Sequence, residues 1–193
     1  MYISAETLIE LERKYGSPFE VSLVYEMRPV EFDMVRRSQK HGRAHDVTLF
    51  IIKEGRIVVI KKPMYPPGAY RAPSGGIAPG ERFEDGALRE GYEETGLTVA
   101  LENYLLRARV KFASAGQVID WTTHVFKARA MAGTLLPIDT HEIVEARLAS
   151  VDELTGSIKE ALLRSGSAGL KYRADLCDLV ISRLIEDGHI TPL

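Results

Sequence analysis

The amino-acid sequence predicts an α+β protein in which a mixed sheet is covered by helices, not a regular strand–helix–strand repeat. Three observations lead there. Residues 47–52 and 56–61 are apolar, β-branched runs separated by Glu54-Gly55, which reads as a hairpin. Residues 83–95 are good helix formers, isolated between a Pro/Gly-rich segment and Gly96. Two long strand-like runs, 97–113 and 118–130, then precede two closing helices, so strands and helices come in blocks.

The elements follow in chain order. Residues 4–15 predict a helix capped by Ser4, with Leu8, Leu11 and Tyr15 on one stripe and Gly16 and Pro18 ending it. Residues 19–30 alternate, placing Val21, Leu23, Tyr25 and Met27 on one face of a strand. Residues 31–44 carry Arg36, Arg37, Lys40, His41 and Arg43 and read as a second strand running into a charged surface loop. The segment 63–80 is rich in Pro and Gly and is expected to be mostly loop. In the helix 83–95, Glu84 and Asp85 sit in the first turn, where the helix dipole favours them, and Gly96 stands where a C′ glycine ends a helix. An Ala115-Gly116 turn joins the two long strands, 143–149 is a further strand, 151–154 a short helical turn, and 157–164 and 168–187 the closing helices.

Composition narrows the function. The 193 residues are 45% apolar and 27% charged with a net charge of −2, ordinary values for a water-soluble domain. A general nucleic-acid binder is usually basic, so no nucleic acid is expected as partner. The single cysteine, Cys177, excludes an internal disulfide and a Cys-rich metal site, and a reducing, cytoplasmic location is expected. The first sixteen residues hold three glutamates and no apolar run, unlike a targeting peptide, and no stretch approaches the roughly 20 apolar residues of a membrane helix, so no membrane partner is expected.

The chemistry is concentrated in residues 75–97. Glu90, Glu93 and Glu94 fall at offsets 0, 3 and 4, which puts all three on one helix face. Like charges at that spacing repel by a few tenths of a kcal/mol per pair, and a divalent cation among them reverses the sign. Hard oxygen ligands suit Mg²⁺ or Mn²⁺, which take substrate phosphates as further ligands. An acidic helix alone is more often a solvated face. Here it is preceded by Pro73-Ser74-Gly75-Gly76, whose glycines permit close backbone approach, and by Arg89, which can grip a carboxylate.

This segment resembles the Nudix hydrolase family. Gly75, five residues, Glu81, seven residues and then Arg89-Glu90-Gly91-Tyr92-Glu93-Glu94-Thr95-Gly96-Leu97 reproduce all seven fixed positions of the family pattern. A chance match at seven fixed positions is on the order of 10⁻⁸ per window at typical residue frequencies, so the motif is specific. Gly91 departs from it, standing where the family has a bulky apolar residue. That predicts close packing there, with Tyr92 as the neighbour turning inward.

The resemblance implies an α/β/α sandwich over 45–193, with 1–44 as an added helix and strand that build a homodimer. It implies a Mg²⁺- or Mn²⁺-dependent hydrolase that cleaves a phosphoanhydride in a nucleoside diphosphate linked to another group, ADP-ribose leading the candidates. Glu90, Glu93 and Glu94 would hold the metal. The catalytic set would be Arg89, which orients the glutamates, with Glu94 and an extra-motif base. Glu142 is preferred over Glu145 for that base, because it shares strand parity with Val144 and Ala146. His141 and His124 are weaker choices. Substrate would meet Gly75, Gly76, Arg71 and Lys111, with Arg109 a further candidate for phosphates and Tyr70, Phe112 and Trp121 for a base. Glu81 and Gly96 would be structural. Glu94→Gln is expected to leave metal-free stability unchanged or raised, because it removes repulsion.

Neither the proline of ADP-ribose-cleaving members nor the tyrosine of dinucleoside-polyphosphate members stands about fifteen residues past Leu97, where Phe112 lies. A nucleoside triphosphate or dinucleoside polyphosphate therefore stays an alternative substrate. Two other classes share the fold. An isopentenyl diphosphate isomerase needs a cysteine at the site, and Cys177 lies in the last helix. A non-catalytic nucleotide sensor usually loses the motif glutamates, which are kept here.

Overall fold

The computed structural model describes residues 3–190 and shows one seven-stranded mixed sheet with helices on both faces. The chain begins with α1 (Ala5–Tyr15), whose cap Ser4 accepts the Thr7 N–H at 3.1 Å, and continues into β1 (Phe19–Glu26). It then forms α2 (Pro29–Ser38), β2 (His45–Lys53) and β3 (Arg56–Lys61). A long loop carries the two-residue β4 (Ser74–Gly75) into α3 (Phe83–Thr95). The hairpin β5 (Leu97–Ser114) and β6 (Gln117–Gly133) follows, then β7 (Glu145–Ala149). Helices α4 (Val151–Thr155), α5 (Ser157–Arg164) and α6 (Ala168–Glu186) close the fold.

The strand order is β1-β5-β6-β2-β3-β7, with β4 added beside β2. β1 runs parallel to β5 and β2 parallel to β6, while the β2–β3, β5–β6 and β3–β7 pairs are antiparallel. The predicted turn residues all have positive φ: Glu54 (53°) and Gly55 (70°), Ala115 (48°) and Gly116 (80°). One face of the sheet buries Phe50, Val125 and Phe112 against Tyr172, Leu176 and Val180 of α6. The other buries Leu49, Ile51 and Phe126 against Leu11 of α1 and Phe83 and Ala87 of α3. Apolar cover on both sides is why β2 reads as a continuous apolar run rather than an alternating one.

Two elements differ from the sequence reading. Residues 29–38 are a helix, not a strand. Pro29 occupies the first helical position and the Glu31 carboxylate accepts the Arg28 N–H at 3.4 Å, so the start is fixed locally. Phe32 and Val35, three residues apart, then pack on the core. Val21, Leu23, Tyr25 and Met27 do share one face, as expected. The side chain of Lys40 lies outside the described ones. The strand expected at 143–149 begins only at Glu145, and 134–144 is a loop. β1 joins the sheet by pairing with β5 from Phe19↔Leu106 to Glu26↔Ala113.

Candidate active site

The site grows from the contact between α3 and the loop 73–80. Phe83, Ala87 and Gly91 turn one side of α3 into the core, which presents Glu90, Glu93 and Glu94 along the side facing β4. Gly91 fits that packing closely. A Cβ there would lie 3.0 Å from Leu49 Cδ1 and 3.4 Å from Val99 Cγ2. Tyr92, expected to fill this place, instead points outward and is half exposed. Leu49 and Val99 of the sheet occupy the volume that an apolar residue on the helix would take.

Arg89 organises the carboxylates. Its Nε and one terminal nitrogen donate to the two Glu81 oxygens at 2.9 and 3.1 Å, and that same nitrogen donates to the Gly76 carbonyl at 2.9 Å. Its other terminal nitrogen donates to Glu90 Oε1 at 3.0 Å and Glu93 Oε2 at 2.8 Å. The Arg89 bond holds Glu81 below the usual carboxylate range, with the Ala78 N–H adding a 2.8 Å bond. Glu81 is thus an anchor inside the loop, and the helix leaves room for it at Gly86, where a Cβ would sit 2.6 Å from Glu81 Oε2.

Glu90 and Glu94 are held differently. The Glu90 carboxylate lies over Gly75 and accepts the Gly76 N–H at 3.1 Å; a Cβ on Gly75 would fall 1.8 Å from its Oε2. Glu94 is sealed in the protein, accepting from the Ser74 N–H at 2.7 Å and from Arg71 at 3.1 Å. Burial raises both carboxyls, opposed at Glu90 by Arg89 and at Glu94 by Arg71. Arg71 also bonds Ala72 O, Ser74 Oγ and the Tyr65 hydroxyl, so its guanidinium is used in positioning the loop and Glu94.

These residues line a polar cavity of about 500 Å³. Its walls bring in cations from distant parts of the chain: Arg43, Lys62 just after β3 and Arg173 from α6. The Arg43 guanidinium rests on Gly76, where a Cβ would be 1.1 Å from a terminal nitrogen, and its carbon lies 5.9 Å from the Trp121 ring centre. Arg173 donates to Asp46 at 3.2 Å and Trp121 Nε1 donates to the same carboxylate at 2.9 Å. Burial works against the Asp46 charge, but Arg173, Thr123 and Trp121 outweigh it and hold the carboxyl low.

Glu142 reaches the cavity, though not by strand parity. It stands in the turn before β7, where Asp139 Oδ1 accepts the His141 and Glu142 N–H groups at 3.0 and 3.1 Å, and its carboxylate accepts from Lys62 at 2.8 Å. Asp139 lines the cavity beside it. Several other candidates are elsewhere. Lys111 is exposed on β5 outside the cavity, Arg109 bonds Glu20, Tyr70 bonds Glu145, and His124 is buried against Tyr104. Sequence reading missed Lys62, Asp46, Asp139 and Arg173 because nothing local marks them. Arg43 belonged to a basic run whose helix was itself misread.

The residues present suit a hard divalent cation. The donor set is carboxylate oxygen, and Glu90 Oε2 and Glu93 Oε1 accept no hydrogen bond among the described residues. Among the described residues no three acidic, histidine or cysteine side chains close on one point, because Arg71 draws Glu94 inward while Arg89 gathers Glu90 and Glu93.

Known proteins resemble this chain in sequence and fold. The family model described as NUDIX domain matches residues 40–170, well over half of the chain. A NUDIX hydrolase from Nitrosomonas europaea aligns with a TM-score of 0.51 at 19% identity, over 75% of this chain and 71% of its own. A MutT NUDIX hydrolase from Burkholderia pseudomallei is 26% identical over 57% of this chain and 84% of its own, with a TM-score of 0.45. An ADP-ribose pyrophosphatase from Streptococcus suis gives 18% identity, 56% and 74% coverage and a TM-score of 0.41. With the family match running from Lys40 past β7 to the start of α6, the chain belongs to the NUDIX domain family.

Proposed function

We propose that the protein hydrolyses a phosphoanhydride bond in a nucleoside diphosphate linked to a second group, using Mg²⁺ or Mn²⁺ held by Glu90, Glu93 and Glu94. The observation that carries this reading is one cavity lined both by the carboxylates Glu90, Glu93 and Glu94 and by the cations Arg43, Lys62 and Arg173. That mixture of charge suits a diphosphate, whose oxygens the cations can grip while the carboxylates would hold a divalent cation. When bound, the cation neutralises phosphate charge and makes a water more acidic.

The chain's own groups supply the rest. Arg89 fixes the directions of Glu90 and Glu93 from one guanidinium, and Arg71 and the Ser74 N–H fix Glu94. Glu142, steadied by Lys62 at the cavity rim, is the side chain outside α3 assigned to accept the proton of the attacking water. The Arg43 guanidinium lying on Gly76 offers its terminal donors to a phosphate oxygen. Cys177 is half-buried on α6 outside this cavity, and burial pushes its thiol up to about 12, so it supports no isomerase-type chemistry here.

The test is a phosphate-release screen with Mg²⁺ or Mn²⁺ over ADP-ribose, nucleotide sugars, NADH, dinucleoside polyphosphates and dNTPs. Turnover of a diphosphate-linked compound, ADP-ribose first among them, is expected. Turnover confined to dNTPs or dinucleoside polyphosphates assigns the alternative substrates, and no turnover of any compound overturns the hydrolase reading.

A further inference from the structure

A second cavity, of about 580 Å³, opens beside the charged one and shares Ser38, Asp46, Trp121 and Arg173 with it. Its character is the opposite. The floor is Met27, Phe112, Trp121 and Tyr172, all buried. The mouth is ringed by Val30 and Met34 of α2 and by Met64, which are 64%, 53% and 64% exposed. Large apolar side chains left uncovered around a concave, aromatic-floored cavity mark a binding site more than a stability device.

The polar groups in this cavity are already engaged with one another. Glu31 takes Arg28 at 2.9 Å and also the Ser167 hydroxyl. Ser38 and Ser165 donate to the Val35 and Leu162 carbonyls, and Asp46 is held by Trp121, Thr123 and Arg173. Among the described residues the buried floor presents no free hydrogen-bonding group, since the Trp121 N–H and the Tyr172 hydroxyl are both engaged, and donors remain only on Arg28 and Tyr65 away from that floor. Aromatic rings and methionine thioethers instead offer faces, which grip any flat ring and adapt to its outline.

Resting on the hydrolase reading above, we infer that this cavity holds the nucleobase end of the substrate by its faces, so that different bases are accepted with similar affinity. Continuity decides the occupant. A diphosphate lying between the carboxylates and Arg43 has its nucleoside end within reach of the Trp121 wall common to both cavities. Much of this subsite is built by residues 27–38, which lie before the 40–170 family match, so it is a property of this chain's own N-terminal segment.

The chain has one tryptophan, and it is Trp121, so its fluorescence reports on the wall that the two cavities share, and the pyrophosphate control separates them. Adenosine, which carries no phosphate, is titrated into chelator-treated protein, with pyrophosphate as a control. A saturable change with adenosine is expected, guanosine and uridine binding within about tenfold of it. Met34→Glu and Met64→Glu, exposed positions on different elements, are each expected to weaken binding at least tenfold with an unchanged circular dichroism spectrum. On the substrate found by turnover, each is expected to raise KM at least tenfold with little change in kcat. Three results overturn the inference: no saturable signal with adenosine, an equal signal in both variants, or a hundredfold preference for one base. A shift of either variant from dimer to monomer also overturns it, since the mouth is then covered by a second copy. Because the titration needs neither metal nor turnover, its outcome is independent of whether the hydrolase reading holds.

Discussion

Arg71 and Glu94 meet at 3.1 Å with side chains only 4% and 5% exposed, and the pair ties the loop before β4 to the last turn of α3. This relationship reverses one expectation from sequence. Repulsion within the glutamate triad is not the dominant force on Glu94, since its charge is balanced by a cation that is equally buried. Glu94→Gln is therefore expected to lower metal-free stability by about 3 kcal/mol, because Arg71 keeps its charge without a partner. For a chain of this size that corresponds to a drop in Tm of roughly 6–12 °C. Calorimetry with chelator present reads it, and an unchanged or raised Tm restores the repulsion picture.

Arg89 is expected to act through other residues. Arg89→Lys keeps the charge but loses the fork that joins Glu81, Glu90, Glu93 and the Gly76 carbonyl. Metal affinity or kcat should fall about 10- to 100-fold, as is usual when a ligand-orienting group is lost. Isothermal titration with Mn²⁺ separates the two effects. Wild-type metal affinity together with wild-type kcat contradicts the role.

The two glycines facing α3 should behave oppositely. Gly75→Ala forces the Glu90 carboxylate away, since the Cβ would lie 1.8 Å from it, and displacing a reacting group by about 1 Å can cost 10²-fold in rate. Gly91→Ala meets only the flexible end of Leu49 at 3.0 Å and gains about 1 kcal/mol of helix propensity, so stability should stay within about 1 kcal/mol and activity should be unaffected. Steady-state kinetics and melting of both variants check the contrast. Equal activity in the two would remove the special role of the Gly75 cradle.

Acid should weaken the fold before carboxylates begin to protonate. Burial pushes His45 down to about 4 and His124 down to about 3, with Arg43 adding to the effect at His45 and His45 and Arg107 at His124. Asp46 opposes the shift at both. Below about pH 6.5 the unfolded chain binds protons at these rings while the folded protein does not. Their contribution is complete above 6.5 and is lost as pH falls toward 4, at about 2 kcal/mol between pH 6 and pH 5 for the pair. Melting curves at pH 7, 6 and 5 measure the slope, and His124→Gln should roughly halve it. A Tm constant down to pH 5 means the rings take up protons equally in the folded and unfolded states, and contradicts the downward shifts.

Much of the fold and part of the site were legible in the sequence, for identifiable reasons. The helix Phe83–Thr95, the Glu54-Gly55 and Ala115-Gly116 turns and the closing helices are fixed by local chemistry: caps, positive-φ residues and apolar period. The helix Pro29–Ser38 was hidden because its run of charges suggested a surface, although Pro29 and Glu31 marked its start. The fixed spacing of Arg89, Glu90, Glu93 and Glu94 carried the chemistry. What it did not carry was contact across the sheet: Arg71 against Glu94, Lys62 against Glu142, and Arg173 against Asp46 are 23, 80 and 127 residues apart. No pattern in the chain announces such pairs.

The parallel pairing of β1 with β5 has a consequence for how the molecule matures. Phe19 finds its neighbour at Leu106, so β1 has no strand to join until the long hairpin exists. Closing so large a loop is slow relative to forming the hairpin itself. On a ribosome adding 5–20 residues per second, the wait is on the order of ten seconds. During that interval Leu23, Tyr25 and Met27 lack their sheet neighbours, and α2 has no wall to lean on. The apolar chamber, which needs Phe112, Trp121 and Tyr172 as well as α2, is therefore completed only after α3 has been made.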